Sequence, residues 1–482
     1  MSTSPIVPGF HPDPSICRVG EEYFLVNSSF EYLPGVPIRR SRDLVAWELI
    51  GNVLDRPSQM EKASTGHGIF APTLRHHDGR FWMITTDFDR IRDGQLIVWA
   101  DDPAGPWSDP VFTTGATGID PDLVWDGDDC YLTWANFFAE YPIQQAKIDP
   151  YSGRLLSEPR PLWHGTGLAA TEGPHLFQHD GWWYLLTAEG GTERGHVVSI
   201  ARSRAVSGPF EANPAGPVLT HRSTTHPVQN TGHADLVELV DGSWAMVYLG
   251  VRARGVTPRF HVNGRETFLA HVEFVDGWPV VDEDRYQVEA LSHSLEESFD
   301  GPELGPEWIV AGRWLADFGR LEDGLHLDAA SEDGPSMVGI RALDETWAFE
   351  VELAEGDASL IIRLDDDHAA RVRRRADTVV AEVTIGSVRS TLGASVPSPD
   401  GRAVLRARST SGEKVLTSSR GPDTLTFSVE IDGVETDLGS IDGRYFSTEV
   451  AGGFTGRVLG VEAGATSSRV RRIAYKGGPV EG

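Results

Sequence analysis

Five stretches of the first 288 residues repeat one pattern, and any fold of this 482-residue chain must accommodate that repetition. Each has a small polar cluster, usually a proline, an apolar residue, a turn and an aromatic-rich apolar run. They are HPDPSICRVGEEYFLV from His11, FAPTLRHHDGRFWMI from Phe70, IDPDLVWDGDDCYLT from Ile119, EGPHLFQHDGWWYLL from Glu172 and GHADLVELVDGSWAMVY from Gly232. Aligned on Pro14, Pro72, Pro121, Pro174 and Ala234, they recur every 49 to 60 residues. Turn residues sit in the middle of each (Gly20, Asp78-Gly79, Asp126-Gly127, Asp180-Gly181, Asp241-Gly242), between short β-prone runs, so each reads as a β-hairpin. Stretches such as VPIRRSRDLVAWELIG supply two further strands. Four strands in roughly 50 residues is the size of a propeller blade, which predicts a five-bladed β-propeller.

The first strand of each blade lines a propeller's channel, so residues just ahead of these strands converge at one mouth. The register places Asp13, Phe70, Asp120, Glu172 and His233 there. Three carboxylates and two rings in a funnel form a catalytic constellation. A single Asp-Pro pair is as readily a turn initiator, but three acids at matching positions are harder to explain that way. The second-strand tryptophans, including Trp82, Trp182 and Trp183, read as packing between blades, and no Ser, Cys or His arrangement suggests a nucleophilic triad.

A length of 482 residues calls for two or three domains. The repeats predict a propeller catalytic domain at 1–288. Residues 294–482, with alternating runs such as WAFEVELA and TVVAEVTI, predict a jelly-roll-like antiparallel β-sandwich accessory domain. The cluster Arg371, Arg373, Arg374 and Arg375 reads as a solvated strand edge rather than a binding patch. With 42 basic against 71 acidic residues, the net charge of −29 disfavours a nucleic-acid or anionic-membrane partner and suits a neutral substrate. Two cysteines, Cys17 and Cys130, are too few for a disulfide framework. With an N-terminus unlike a signal peptide, they lead us to expect a cytoplasmic protein.

These stretches, with PGFHPDPSICRVGEEYFLVNSSFEYLPGVPIRRSRDLVAW, ATEGPHLFQHDGWWYLLTAEGGT, TGHADLV and GRETFLAHVEFVDGWPVV, closely resemble glycoside hydrolase family 43. That family comprises β-xylosidases, α-L-arabinofuranosidases and arabinanases on five-bladed propellers. SFDGPELGPEW and GGFTG resemble parts of the sandwich appended to its β-xylosidases. The resemblance implies an exo-acting, inverting hydrolase releasing xylose from nonreducing ends of β-1,4-xylooligosaccharides. An α-L-arabinofuranosidase activity on arabinoxylan-derived oligosaccharides is the companion or the main alternative, and a noncatalytic sugar-binding propeller is the alternative of another class. No cofactor is required on this reading. A structural calcium ion in the channel, held by some members, stays open, and so does a homo-oligomer.

Carried over, Asp13 of HPDPS is the general base, Glu172 of TEGPHL the general acid, and Asp120 of IDPDL the carboxylate that orients the acid and tunes its pKa. His233 of GHADL and Arg265 of GRET match residues that hold the terminal sugar and the acids. A blade-bridging role for Arg265, and a channel-ion or buried structural role for His233, remain open. Phe30 of SSFEY falls at an apolar wall of the sugar pocket. Phe454 of GGFTG is either an aromatic lent by the sandwich to the mouth or a sandwich core residue. Phe70 stands where β-xylosidases of the family carry tryptophan, and TTDFDRIRDGQLIVW looks shorter than its counterpart. Inversion needs carboxyls about 6.5–9.5 Å apart with a water between, a gap that different blades can supply. A negative Asp120 is expected to favour the protonated form of Glu172.

Overall fold

A computed structural model describes residues 3–399, 402–411 and 421–478. The five repeats are hairpins. Their inner strands Ser15–Val19, Thr73–His77, Ile119–Asp126, Glu172–His179 and Val228–Glu238 pair antiparallel with Glu22–Val26, Arg80–Thr85, Asp129–Ala135, Trp182–Glu189 and Trp244–Arg252. At Asp78-Gly79 and Asp180-Gly181 both turn residues have positive φ, as a tight two-residue hairpin demands. Further strands complete five separate blades. The inner strands touch in sequence and the first also touches the last, closing the ring. The N-terminal segment fastens this closure, as the amides of Ile6 and Val7 donate to Thr267 O in blade 5. Second-strand tryptophans pack as expected: Trp82 joins a cluster with Leu123 and Leu132 of blade 3, and Trp183 one with Tyr131 and Trp163. Cys17 and Cys130 are free and buried.

The C-terminal residues form two large antiparallel sheets packed face to face. Alternation along Trp347–Glu355 buries Trp347, Phe349, Val351 and Leu353 against residues such as Leu360 and Ile362 of the facing sheet. One of these sheets begins in the propeller: Tyr32–Leu33, from blade 1, pairs with Ile309–Ala311. The arginine cluster is not at a strand edge. His368–Arg375 runs between two partner strands, where Arg371 binds Glu462 through two hydrogen bonds and buried Arg374 reaches Asp357. Arg371, Arg373 and Arg374 each have an acid or carbonyl on a neighbouring strand or loop, while Arg375 is exposed at the strand's end. The partner strands that make the run internal lie elsewhere in the chain.

Candidate active site

The repeat position just before the aligned proline or alanine is left-handed in four blades: Asp13 (φ 52°), Asp120 (54°), Gly173 (56°) and His233 (42°). Such backbone is costly for non-glycine residues and clusters at functional sites. In blades 3, 4 and 5 it coincides with a β-bulge in the inner strand, a device that re-aims side chains. Glu172 therefore stands one residue ahead of the Asp13 and Asp120 register, with Gly173 taking the strained position. Phe70 is offset in the same way, with Ala71 in the corresponding place.

Asp13 is buried, and its Oδ1 accepts from Arg265 Nη1 at 2.9 Å and Oδ2 from the Ser28 hydroxyl at 2.5 Å. His233 Nδ1 lies 3.5 Å from the same Oδ1, so the imidazole sits beside Asp13 rather than hydrogen-bonded to Asp120. Burial alone would raise the Asp13 carboxyl, but Arg265, then His233 and Ser28, outweigh it and hold the group below its usual value. Glu172 behaves oppositely. Burial first, then the Asp13 charge, push it up to about 7 against the pull of Arg265. Asp120 accepts from the Gly173 amide at 3.0 Å, which ties it to the residue beside Glu172. It too rises to about 7, mainly through burial, against the pull of His233 and with Glu172 and Asp13 adding to the rise. Burial and the Asp13 charge lead the rise of Glu172, and the Glu172 and Asp120 carboxyls, both raised, repel one another's charged forms.

Aromatic rings wall this cluster. Phe30 and Phe454 stack with centroids 5.7 Å apart and planes at 17°, and Phe70 lies 5.0 Å from Phe30. Phe454 is 40% exposed, which excludes the sandwich-core reading. Its loop docks on the propeller where Gly264 and Gly456 cross: a Cβ on Gly456 would meet Asn263 O at 2.4 Å. Arg457 N donates to Val262 O close by. Phe30 is anchored through its neighbours, since Arg363 of the sandwich binds Glu31 at 3.0 Å and the Tyr32 hydroxyl at 2.6 Å. Arg265 joins the two halves, with Phe454 O at 3.4 Å, Thr192 Oγ1 at 3.2 Å and its guanidinium 5.5 Å from the Phe454 ring.

Some site features escape a reading by repeats. Phe88 stacks on Phe70 at 4.7 Å and 11°, thickening the wall where the ring is smaller. Phe138 is 92% exposed on the loop after Asp129–Ala135, whose last residue pairs with Ile119 beside Asp120, so this ring stands on the rim. The Phe137-Phe138 doublet before Pro142 was its visible signal. Arg75 is the third. From blade 2 it reaches Ser15 Oγ (3.3 Å), Asp122 Oδ1 (2.8 Å), His175 Nδ1 (3.0 Å) and Asp235 Oδ2 (2.8 Å), one side chain from each other blade. Ser15, Asp122, His175 and Asp235 all directly follow the aligned residue. Burial would raise Asp235, yet Arg75 holds it down at about 2. Arg75 thus sets a guanidinium charge against both channel acids. No metal-ligating group of three side chains occurs among the described residues.

Two neighbouring carboxyls with opposed proton affinities beside a wall of rings are what cleavage of a sugar acetal asks for, and the chain is a glycoside hydrolase. The model of glycosyl hydrolases family 43 matches residues 2–279, and the chain belongs to that family. It is 35% identical to the non-reducing end alpha-L-arabinofuranosidase of Bacteroides ovatus, over 95% of this chain and 90% of that one. It is 44% identical to the xylosidase/arabinosidase of Butyrivibrio fibrisolvens, over 58% of this chain and 56% of that one. Among solved structures, the xylan beta-1,4-xylosidase of Bacillus halodurans has a TM-score of 0.88 at 27% identity, covering 99% of this chain and 100% of that one.

Proposed function

We propose that the chain removes single xylose units, with inversion, from nonreducing ends of β-1,4-xylooligosaccharides, and accepts α-L-arabinofuranosides in the same pocket. Asp13 is the general base, Glu172 the general acid and Asp120 the residue that positions the acid through Gly173. The observation that carries this reading is the opposed shift of Asp13 and Glu172. Near neutral pH one is ionised and ready to accept a proton from water. The other retains a proton to give to the leaving oxygen. Arg265 holds the base in place, its Nη1 donating to Asp13 Oδ1. A second reading, mainly α-L-arabinofuranosidase, is favoured by the near full-length likeness to the Bacteroides ovatus enzyme.

Release of nitrophenol from the aryl β-xyloside and the aryl α-arabinofuranoside ranks the two activities, and proton NMR of early turnover reports the anomer first formed. The expected result is hydrolysis of the xyloside with inverted product. Net retention would remove Asp13 from the role of base, and absence of hydrolysis on both glycosides would favour a sugar-binding protein.

Phe454 closes the sugar pocket in this reading. Phe454→Ala should lower kcat/KM by up to about tenfold, from the 0.5–1.5 kcal/mol of an aromatic contact. Its melting temperature should stay close to that of the parent, because the ring is not a core group. Unchanged kinetics with much earlier melting would show the ring to be structural support.

A further inference from the structure

A cavity of about 1080 Å³ lies between the propeller, the 287–295 connection and the sandwich. It is separate from the carboxylate mouth, although His11, two residues before Asp13, lines it. Arg39, from the third strand of blade 1, and Arg341, from the sandwich strand Met337–Arg341, meet here. They are only 8% and 6% exposed. Other deeply buried arginines each bind a carboxylate: Arg265 with Asp13, Arg363 with Glu31, Arg457 with Asp423. Arg39 and Arg341 form no ion pair among the described residues. Arg39 Nη1 and Arg341 Nε and Nη2 have no hydrogen-bond partner among those residues.

The neighbouring histidine does not neutralise them. His11 Nδ1 donates to Pro8 O at 2.8 Å, and Nε2 accepts from Arg39 Nη2 at 2.9 Å, the pattern of a neutral ring. Burial, then Arg39 and Arg341, hold its pKa well below the ordinary histidine value. Burial lowers Arg39 to about 9, helped by Arg341, and lowers Arg341 to about 10, so both stay charged at neutral pH. Two charges buried without a counter-ion are costly, and a charged partner is the remedy.

We propose that this cavity binds a small oxyanion, a phosphate or a carboxylate group, between Arg39 and Arg341. A guanidinium fork matches two oxygens of either group. The anion bridges propeller and sandwich, because its two ligands come from different halves of the molecule.

The test is thermal melting of the full chain at neutral pH and constant ionic strength, with chloride replaced stepwise by phosphate or by acetate. Its readout is independent of hydrolysis. Phosphate or acetate at 20 mM should raise the melting temperature of the wild type by about 2 °C or more, saturably, as a site-bound ligand does. Response to phosphate alone identifies a phosphate site, and response to acetate alone a carboxylate site. Arg341→Met should abolish the response. In chloride it should melt no earlier than the parent, since it loses an unpaired buried charge. Arg39→Lys, which keeps the charge and loses the fork, should need several-fold more anion, and it serves as the test if Arg341→Met does not fold. No rise in the wild type with either anion overturns the proposal. So does an equal rise in wild type and variants, the mark of salt exclusion from the general surface.

Discussion

Asp13→Ala should depress kcat by about 10²–10⁴-fold on xylooligosaccharides and on aryl pentosides alike. Water must be activated whichever group departs, so a better leaving group offers no escape. The buried environment makes the loss broader than one proton transfer. Arg265 and Ser28 are both bonded to this carboxylate, and removing it strands the Arg265 charge. A stranded buried charge costs about 3–5 kcal/mol, so Asp13→Asn, which keeps the shape, belongs beside the alanine variant. Both should lose activity, whereas the asparagine variant should melt closer to the parent. An aryl substrate turned over at nearly the parental rate by folded Asp13→Asn would rule the residue out as base.

Glu172→Ala separates substrates where Asp13→Ala does not. Turnover of xylooligosaccharides should fall by about 10²–10⁴-fold, while aryl glycosides with good leaving groups, which need little protonation, should be much less affected. The pH profile supplies a second reading. Glu172 is raised to about 7, so its protonated, active form prevails below that pH and is lost above it. Parental kcat/KM on oligosaccharides should accordingly decline as pH rises through about 7, and Glu172→Ala should lack this limb. Asp120 is also raised to about 7, and the two carboxyls titrate as a coupled pair. A limb that survives in Glu172→Ala and disappears in Asp120→Asn would assign it to Asp120. Equal losses of Glu172→Ala on both classes of substrate would count against its role as acid.

The mouth was legible because propeller repeats carry their own alignment. Prolines and turn pairs mark where each inner strand starts, and a residue beside an aligned proline shares its depth in the ring. That logic brought Asp13, Asp120 and His233 together from positions far apart. Glu172 and Phe70 stand one residue ahead of the strict register, an offset that arises because the repeat does not tell which residue takes the left-handed backbone. The fork of Arg75 was missed for a different reason: its partners share one repeat position, but only a closed ring makes them neighbours. Phe454 and the Phe88 stack depend on loops whose conformations are set by distant contacts, such as the crossing at Gly264 and Gly456. The internal arginines of His368–Arg375 looked like an edge because alternation reports a strand's faces and says nothing about its neighbours.

The pairing of Tyr32–Leu33 with Ile309–Ala311 orders events in time. A ribosome that has finished the propeller has not yet made the strand that Tyr32–Leu33 must join. Until then that short segment exposes unpaired backbone, and its neighbour Phe30 lacks both the Arg363 clamp on Glu31 and the stacked ring of Phe454. Contacts closing nearly three hundred residues of chain form slowly. This aromatic wall therefore matures late, after the ring of blades that surrounds it. A propeller cut off at residue 288 would keep all three carboxylates and carry a raw strand edge beside an unfinished pocket.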